Sequence, residues 1–194
     1  MILHTVNDPN AMFDVYPISQ LFCTTGNSVV NAQTRELVMG AGHAKQYAEF
    51  FDPTGEKKLK AGFGLAVHNE VSRLHNLGTY DYLKVNELPY VTSKDGLWRG
   101  YGAYGLIYSK NWPNNRMGIL QTKFDWKKPS PLALVKWSLK RLQGFIDAVY
   151  DCNGIYIRVD MPFPGIGKGG LPRHEVLPML ENFGDYLHVW ELEN

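Results

Sequence analysis

The chain has 194 residues, of which 44% are apolar and 20% charged, and a formal net charge of +1, the make-up of one ordinary globular domain with a full-sized core. The balanced charge gives no basic footprint for nucleic acid as a primary partner, and no apolar run approaches the roughly 20 residues that cross a bilayer. The N-terminal segment has neither the basic start nor the apolar core of a signal peptide, so a cytoplasmic protein is expected, with Cys23 and Cys152 as reduced thiols.

In chain order, residues 15–25 hold short β-like stretches around Pro17, and Gly26-Asn27-Ser28 breaks them as a loop. Residues 40–51 read as a helix opened by glycines, with Ala44, Tyr47, Ala48 and Phe51 on one face and Asp52-Pro53-Thr54-Gly55 as its stop. Residues 56–77 are helical in part, with Val67, Val71 and Leu74 at helical spacing. Residues 78–117 are rich in tyrosine, tryptophan and glycine and suggest a β-hairpin excursion or a lid inserted into a single domain.

A short strand follows over residues 118–123, then Pro129-Ser130-Pro131 and a strongly amphipathic helix. In it Leu132, Val135, Leu139, Leu142, Ile146 and Val149 recur at three- and four-residue steps. Asp151-Cys152-Asn153-Gly154 reads as a turn into an alternating strand over residues 155–161. Residues 172–183 predict a helix and 186–192 a last strand, a parallel crossover pattern.

Two glycine-rich turns stand out against these elements: Val38-Met39-Gly40-Ala41-Gly42-His43 and Gly165-Ile166-Gly167-Lys168-Gly169-Gly170. Each lies between a β-rich stretch and a helix. Such turns present backbone N–H groups and the positive end of a helix to anions, so a pair of them predicts a nucleotide diphosphate held from two sides at the strand ends of an α/β sheet. The second turn also fits a dinucleotide fingerprint, but the acidic residue required at the end of the next strand is missing. The six histidines are scattered without metal-ligand spacing, no serine-nucleophile elbow or P-loop is present, and no cofactor is expected.

The order of Thr24-Thr25-Gly26-Asn27-Ser28, Met39-Gly40-Ala41-Gly42-His43-Ala44, Thr122-Lys123, Met161-Pro162 and Gly165 to Gly170 resembles macro domains. The resemblance is nearest the branch of ADP-ribose 1''-phosphate phosphatases and terminal ADP-ribose protein glycohydrolases. It implies a three-layer α/β/α fold with a mixed, mostly parallel sheet and a cleft for ADP-ribose or a derivative. Asn27 would meet the distal ribose. Met39, Gly40, Ala41 and Gly42 would lie beside the diphosphate, and Gly165, Ile166, Gly167, Gly169 and Gly170 would form the second phosphate loop. Asp14 would match the adenine-binding aspartate.

For chemistry, the resemblance places Lys123 where the glycohydrolases carry a nucleophilic lysine, yet the acidic partner expected near Gly169 has no counterpart in the second loop. Release of a phosphate from the distal ribose asks for less: an anion cradle with a base or cation at hand, for which Lys123, His43 and Lys168 are the candidates. His43 replaces an apolar residue common at that place in the family. The expected function is therefore binding of an ADP-ribose derivative with hydrolysis of a phosphate. A non-catalytic binder, protein de-ADP-ribosylation and a protein-interaction module are the alternatives.

Overall fold

The protein is described by a computed structural model covering residues 1–31, 33–39, 41–76, 90–92, 97–100 and 102–193. Its centre is a six-stranded sheet in the order β1-β9-β8-β2-β7-β6. The strands are β1 (Ile2–Val6), β2 (Leu21–Gly26), β6 (Leu106–Tyr108), β7 (Met117–Gln121), β8 (Val159–Pro162) and β9 (Leu187–Leu192). Only β6 runs antiparallel, against β7; the other pairings are parallel. A second, antiparallel sheet joins β3 (Val29–Asn31), β5 (Leu97–Gly100) and β4 (Tyr90–Thr92).

Side chains alternate across the large sheet and divide the core in two. Leu21, Cys23, Val159, Met161, Leu187 and Val189 face α3 (Leu132–Asn153) and α4 (Arg173–Leu180). Phe22, Met117 and Ile119 face Tyr47 and Ala48 of α1 (Gly42–Phe51) and Phe63 and Val67 of α2 (Leu59–Asn76). Both layers close on strands that are apolar on both sides, as buried parallel sheets require. This is the expected three-layer α/β/α architecture with a mixed, mostly parallel sheet.

The amphipathic helix is the longest element among the described residues, and the expected stripe is buried at Val135, Leu139, Leu142, Ile146 and Val149, while Leu132 is only half-buried and Leu134 takes its place in the core. Its end differs from expectation. Asp151-Cys152-Asn153 is the last helical turn, and Gly154, at φ +69°, is the left-handed stop. The predicted strand over residues 155–161 shrinks to Val159–Pro162. The alternation of 155–158 is real, but β2 and β9 offer partners only from Val159 onward, and Ile155 and Tyr156 stay exposed.

Two further corrections fall near the N-terminus. The β-like reading of residues 15–25 holds only from Leu21, since Val15 ends a 3-10 turn over Ala11–Val15 and residues 16–18 are turn, and β1, unread in the sequence, pairs with β9 from the opposite end of the chain. Within the aromatic stretch, read as a β-hairpin excursion or a lid, β4 and β5 pair antiparallel, while residues 77–89, 93–96 and 101 lie outside the described residues. Ala103, Tyr104, Leu106 and Ile107 are buried, so the later part of that stretch belongs to the core rather than to an excursion. Among the described residues no helix is long and apolar enough to cross a membrane.

Candidate functional site

The five parallel strands end on one edge of the sheet, at Val6, Leu192, Pro162, Gly26 and Gln121. After β2 the chain moves to the α1/α2 face, and after β8 it moves to the α3/α4 face. Because β2 and β8 are neighbours, their chains part to opposite faces here, which makes this the topological switch point that defines the crevice where open α/β sheets bind ligands. Both glycine turns are at this crevice: one opens α1 and the other follows β8.

The first turn is fastened by buried, uncharged groups. Asn27, just past β2, donates from Nδ2 to the carbonyl of Val38 at 2.8 Å and accepts the Val29 N–H on Oδ1 at 2.8 Å. Its own carbonyl accepts the Tyr104 hydroxyl at 3.0 Å. Asn27 therefore sets the height of the loop that reaches Met39, which is buried, and Ala41 and Gly42, which are exposed. Gly40 lies outside the described residues. Gly42 has φ +58° with open space around it.

His43 stands in the first turn of α1. Its Nδ1 is 2.9 Å from Thr24 Oγ1 on β2, and its ring lies parallel to Phe13 at 5.2 Å between centroids. Nε2 is closed off from solvent and has no hydrogen-bond partner among the described residues. Burial lowers the imidazole to about 4, so the ring is neutral at neutral pH. In this conformation His43 offers the crevice neither a charge nor an open lone pair.

The second turn is a short 3-10 element, Gly167–Gly169, between Gly165 at φ +79° and Gly170 at φ +76°. A side chain at Gly165 would also meet Leu171 Cδ1 at 2.7 Å, so this position needs glycine for both its angle and its surroundings. Ile166 is half-buried against the α3/α4 core, and Lys168 is exposed. Gly169 is buried; its carbonyl accepts the Ser130 N–H at 2.7 Å.

Lys123 joins the two sides of the crevice. It follows β7, and its ammonium donates to the Lys168 carbonyl at 2.5 Å. Burial lowers its pKa below the ordinary lysine value; the Lys168 charge lowers it further and Asp125 acts in the opposite sense. Gln121, fully buried one turn of chain earlier, accepts the N–H groups of Tyr104 and Gly105 and donates to the carbonyls of Gly102 and Lys123. That satisfied amide fixes where the Lys123 backbone leaves the sheet.

Three residues at this edge escaped the sequence reading. Gln121 and Asp125 carried no motif signal, although Asp125 is 2% exposed, two positions from Lys123. Asp8 lies two residues past the end of β1, where its carboxylate accepts the Asn10 N–H. Asp14 is on the exposed side of the 3-10 turn between β1 and β2. The position of Asp8 beyond a strand end was hidden because β1 itself was not read.

With this geometry in place, similarity to solved structures becomes informative. The chain is similar over 100% of its length to 99% of the macrodomain of Thermus aquaticus DarG, at 20% identity and a TM-score of 0.51. It is similar to 98% of the macrodomain of Mycobacterium tuberculosis DarG at 19% identity and a TM-score of 0.50. The chain has the macrodomain fold. A further structure, Thermosipho africanus DarTG in complex with ADP-ribose, matches 90% of this chain at 19% identity and a TM-score of 0.50, and the chain spans only 38% of that protein. No family model matches the sequence, and no curated protein matches it.

Proposed function

We propose that this macrodomain-fold protein binds ADP-ribose or a derivative in the crevice between β2 and β8. The observation that carries this reading is the convergence of two glycine turns on adjacent parallel strand ends, one of them opening the ten-residue helix α1. Solved structures of the same fold include one in complex with ADP-ribose, and this supports the choice of ligand. In this reading Asn27 acts on the ligand mainly through the first loop that it supports. Asp8 and Asp14 compete for the adenine, with Asp8 better placed at the strand ends.

The finer reading is hydrolysis of a phosphate on the distal ribose. Lys123 and Lys168 would stabilise the phosphate, and His43 would serve as base after turning Nε2 into the crevice. A non-catalytic binder needs no such rearrangement. The third reading, protein de-ADP-ribosylation, gains one support: buried Asp125 acts electrostatically on Lys123 and could take the part of the carboxylate that the second loop lacks.

Calorimetry with ADP-ribose, with AMP as control, tests the binding reading. Micromolar affinity, about −8 kcal/mol, with AMP much weaker is the expected result; no heat from either ligand would remove it. Phosphate release from ADP-ribose 1''-phosphate then separates phosphatase from binder, and release of ADP-ribose from a modified protein tests the third reading.

A further inference from the structure

We propose that Lys123 is a positioning residue, which holds the second glycine loop in its ligand-receiving form through the Lys168 carbonyl. This inference rests on the ADP-ribose reading for its effect on affinity, but the contact itself is a property of the protein without ligand.

Four of the six residues from Gly165 to Gly170 are glycine, and such a segment loses more conformational freedom on ordering than any other composition. Its internal bonds, Gly169 N–H to the Ile166 carbonyl, Gly170 N–H to Gly167 and Leu171 N–H to Gly165, close the turn upon itself. They do not set its position relative to the sheet. Beyond its attachment to β8 and the packing of Ile166 and Leu171 on the α3/α4 core, its outer part is held by the chain between β7 and α3, where Ser130 N–H donates to the Gly169 carbonyl and the Lys123 ammonium to the Lys168 carbonyl. Lys123 is itself fixed, since Gln121 holds its carbonyl at 3.1 Å. The path from the buried sheet to the exposed loop is thus a chain of hydrogen bonds, Gln121 to Lys123 to Lys168.

Charge points the same way. The tie brings the ammonium of Lys123 within electrostatic reach of Lys168, and neither lysine forms an ion pair among the described residues. Asp125 offsets part of the charge on Lys123; the two like charges held at one loop still favour an anion beside them. A loop already ordered by Lys123 binds that anion without the ordering cost. Removal of a lysine that only touches the ligand would leave the ligand-free loop as well protected as before; removal of a lysine that orders the loop would not.

The test compares wild type, Lys123→Met and Lys123→Arg. Amide hydrogen exchange without ligand should be faster at residues 168–170 in Lys123→Met and near wild type in Lys123→Arg, which keeps a donor. ADP-ribose affinity should fall about ten-fold in Lys123→Met, the lower range for a hydrogen bond from a charged group, and recover in Lys123→Arg. Unchanged protection at 168–170, or Lys123→Met binding within about twofold of wild type, overturns the proposal. So does a general loss of protection across the β-sheet, which would mean simple destabilisation. If wild type fails to bind ADP-ribose while Lys123→Met still loosens residues 168–170, the ligand reading falls and the contact stands.

Discussion

The two glycine turns face one crevice but are held there by different means. The first is fastened from below by neutral groups shut away from water: the Asn27 amide on Val38, the Tyr104 hydroxyl on Asn27, and His43 against Thr24 and Phe13. The second closes on its own backbone, is packed at its base through Gly165 and Ile166, and has its outer part tied by the Ser130 N–H and the half-exposed Lys123. Buried hydrogen bonds are expensive to break because the abandoned partner is left without water; an exposed tie is cheaper to break. The first turn therefore works as part of the core, and the second as an adjustable arm.

The largest expected effect is at Asn27. Asn27→Ala strands the Val38 carbonyl and the Val29 N–H in a buried setting, and should lower the free energy of unfolding by about 4 kcal/mol, two unsatisfied groups together. Urea unfolding measures this. Asn27→Asp keeps an acceptor for Val29 but sets a carboxylate against the Val38 carbonyl, so it should be no better than alanine. A loss below about 1 kcal/mol in both variants would mean that the first turn is not fastened by this side chain.

His43 gives the first turn a pH dependence on the acid side of neutrality. Its folded value of about 4 lies below the ordinary 6.5. Above pH 6.5 both folded and unfolded rings are neutral and contribute no difference. As the pH falls below 6.5 the unfolded chain takes up a proton that the folded ring refuses, so stability declines until about pH 4. At 1.36 kcal/mol per unit the loss is about 3 kcal/mol. His4 and His188, whose ring nitrogens lie 2.9 Å apart, are lowered by burial as well and add to the decline in the same direction. The slope of stability between pH 6.5 and 4 should be shallower in His43→Leu; an unchanged slope would assign the effect to the His4–His188 pair.

Gly165→Ala tests the adjustable arm at its base. The positive φ costs about 1–2 kcal/mol for any side chain, and contact with Leu171 at 2.7 Å and Val135 at 3.2 Å adds strain, for a total of about 2 kcal/mol in stability. The expected fall in ADP-ribose affinity should exceed that of a variant of equal stability elsewhere in the core. Equal affinities would show that the shape of the second turn matters little to the ligand.

The two regions also differ in how far the sequence disclosed them. Helix α3 and the placement of both turns followed from periodicity and glycine spacing, because those signals are local. β1 was missed because His4 and Thr5 interrupt its apolar pattern and its partner β9 lies at the other end of the chain. Asn27 stood out in the sequence as a candidate, but its bond to Val38 depends on how β3 places that segment. The link from Lys123 to Lys168 spans 45 positions, and no motif encodes it. For the same reason Asp125, two residues from Lys123, was passed over while a carboxylate was sought in the second loop. Local chemistry names the groups at the crevice; their pairing comes from the fold.

Gly42→Ala is the smallest and the sharpest comparison. Gly42 and Gly165 both have positive φ, at +58° and +79°, but an added methyl meets nothing within 4 Å at Gly42 and a packed core at Gly165. The stability cost at Gly42 should therefore be the backbone term alone, about 1 kcal/mol. Any larger loss in ADP-ribose affinity must come from the open space itself, where the methyl would stand at the entrance of α1 in the path of the ligand. Thermal unfolding with and without ADP-ribose separates the two contributions, since a ligand raises the melting temperature only as far as it still binds. A Gly42→Ala protein that loses about 1 kcal/mol yet keeps its full ligand-induced shift would place the bound nucleotide away from the first turn, and would leave the arm held by Lys123 as the principal anion contact.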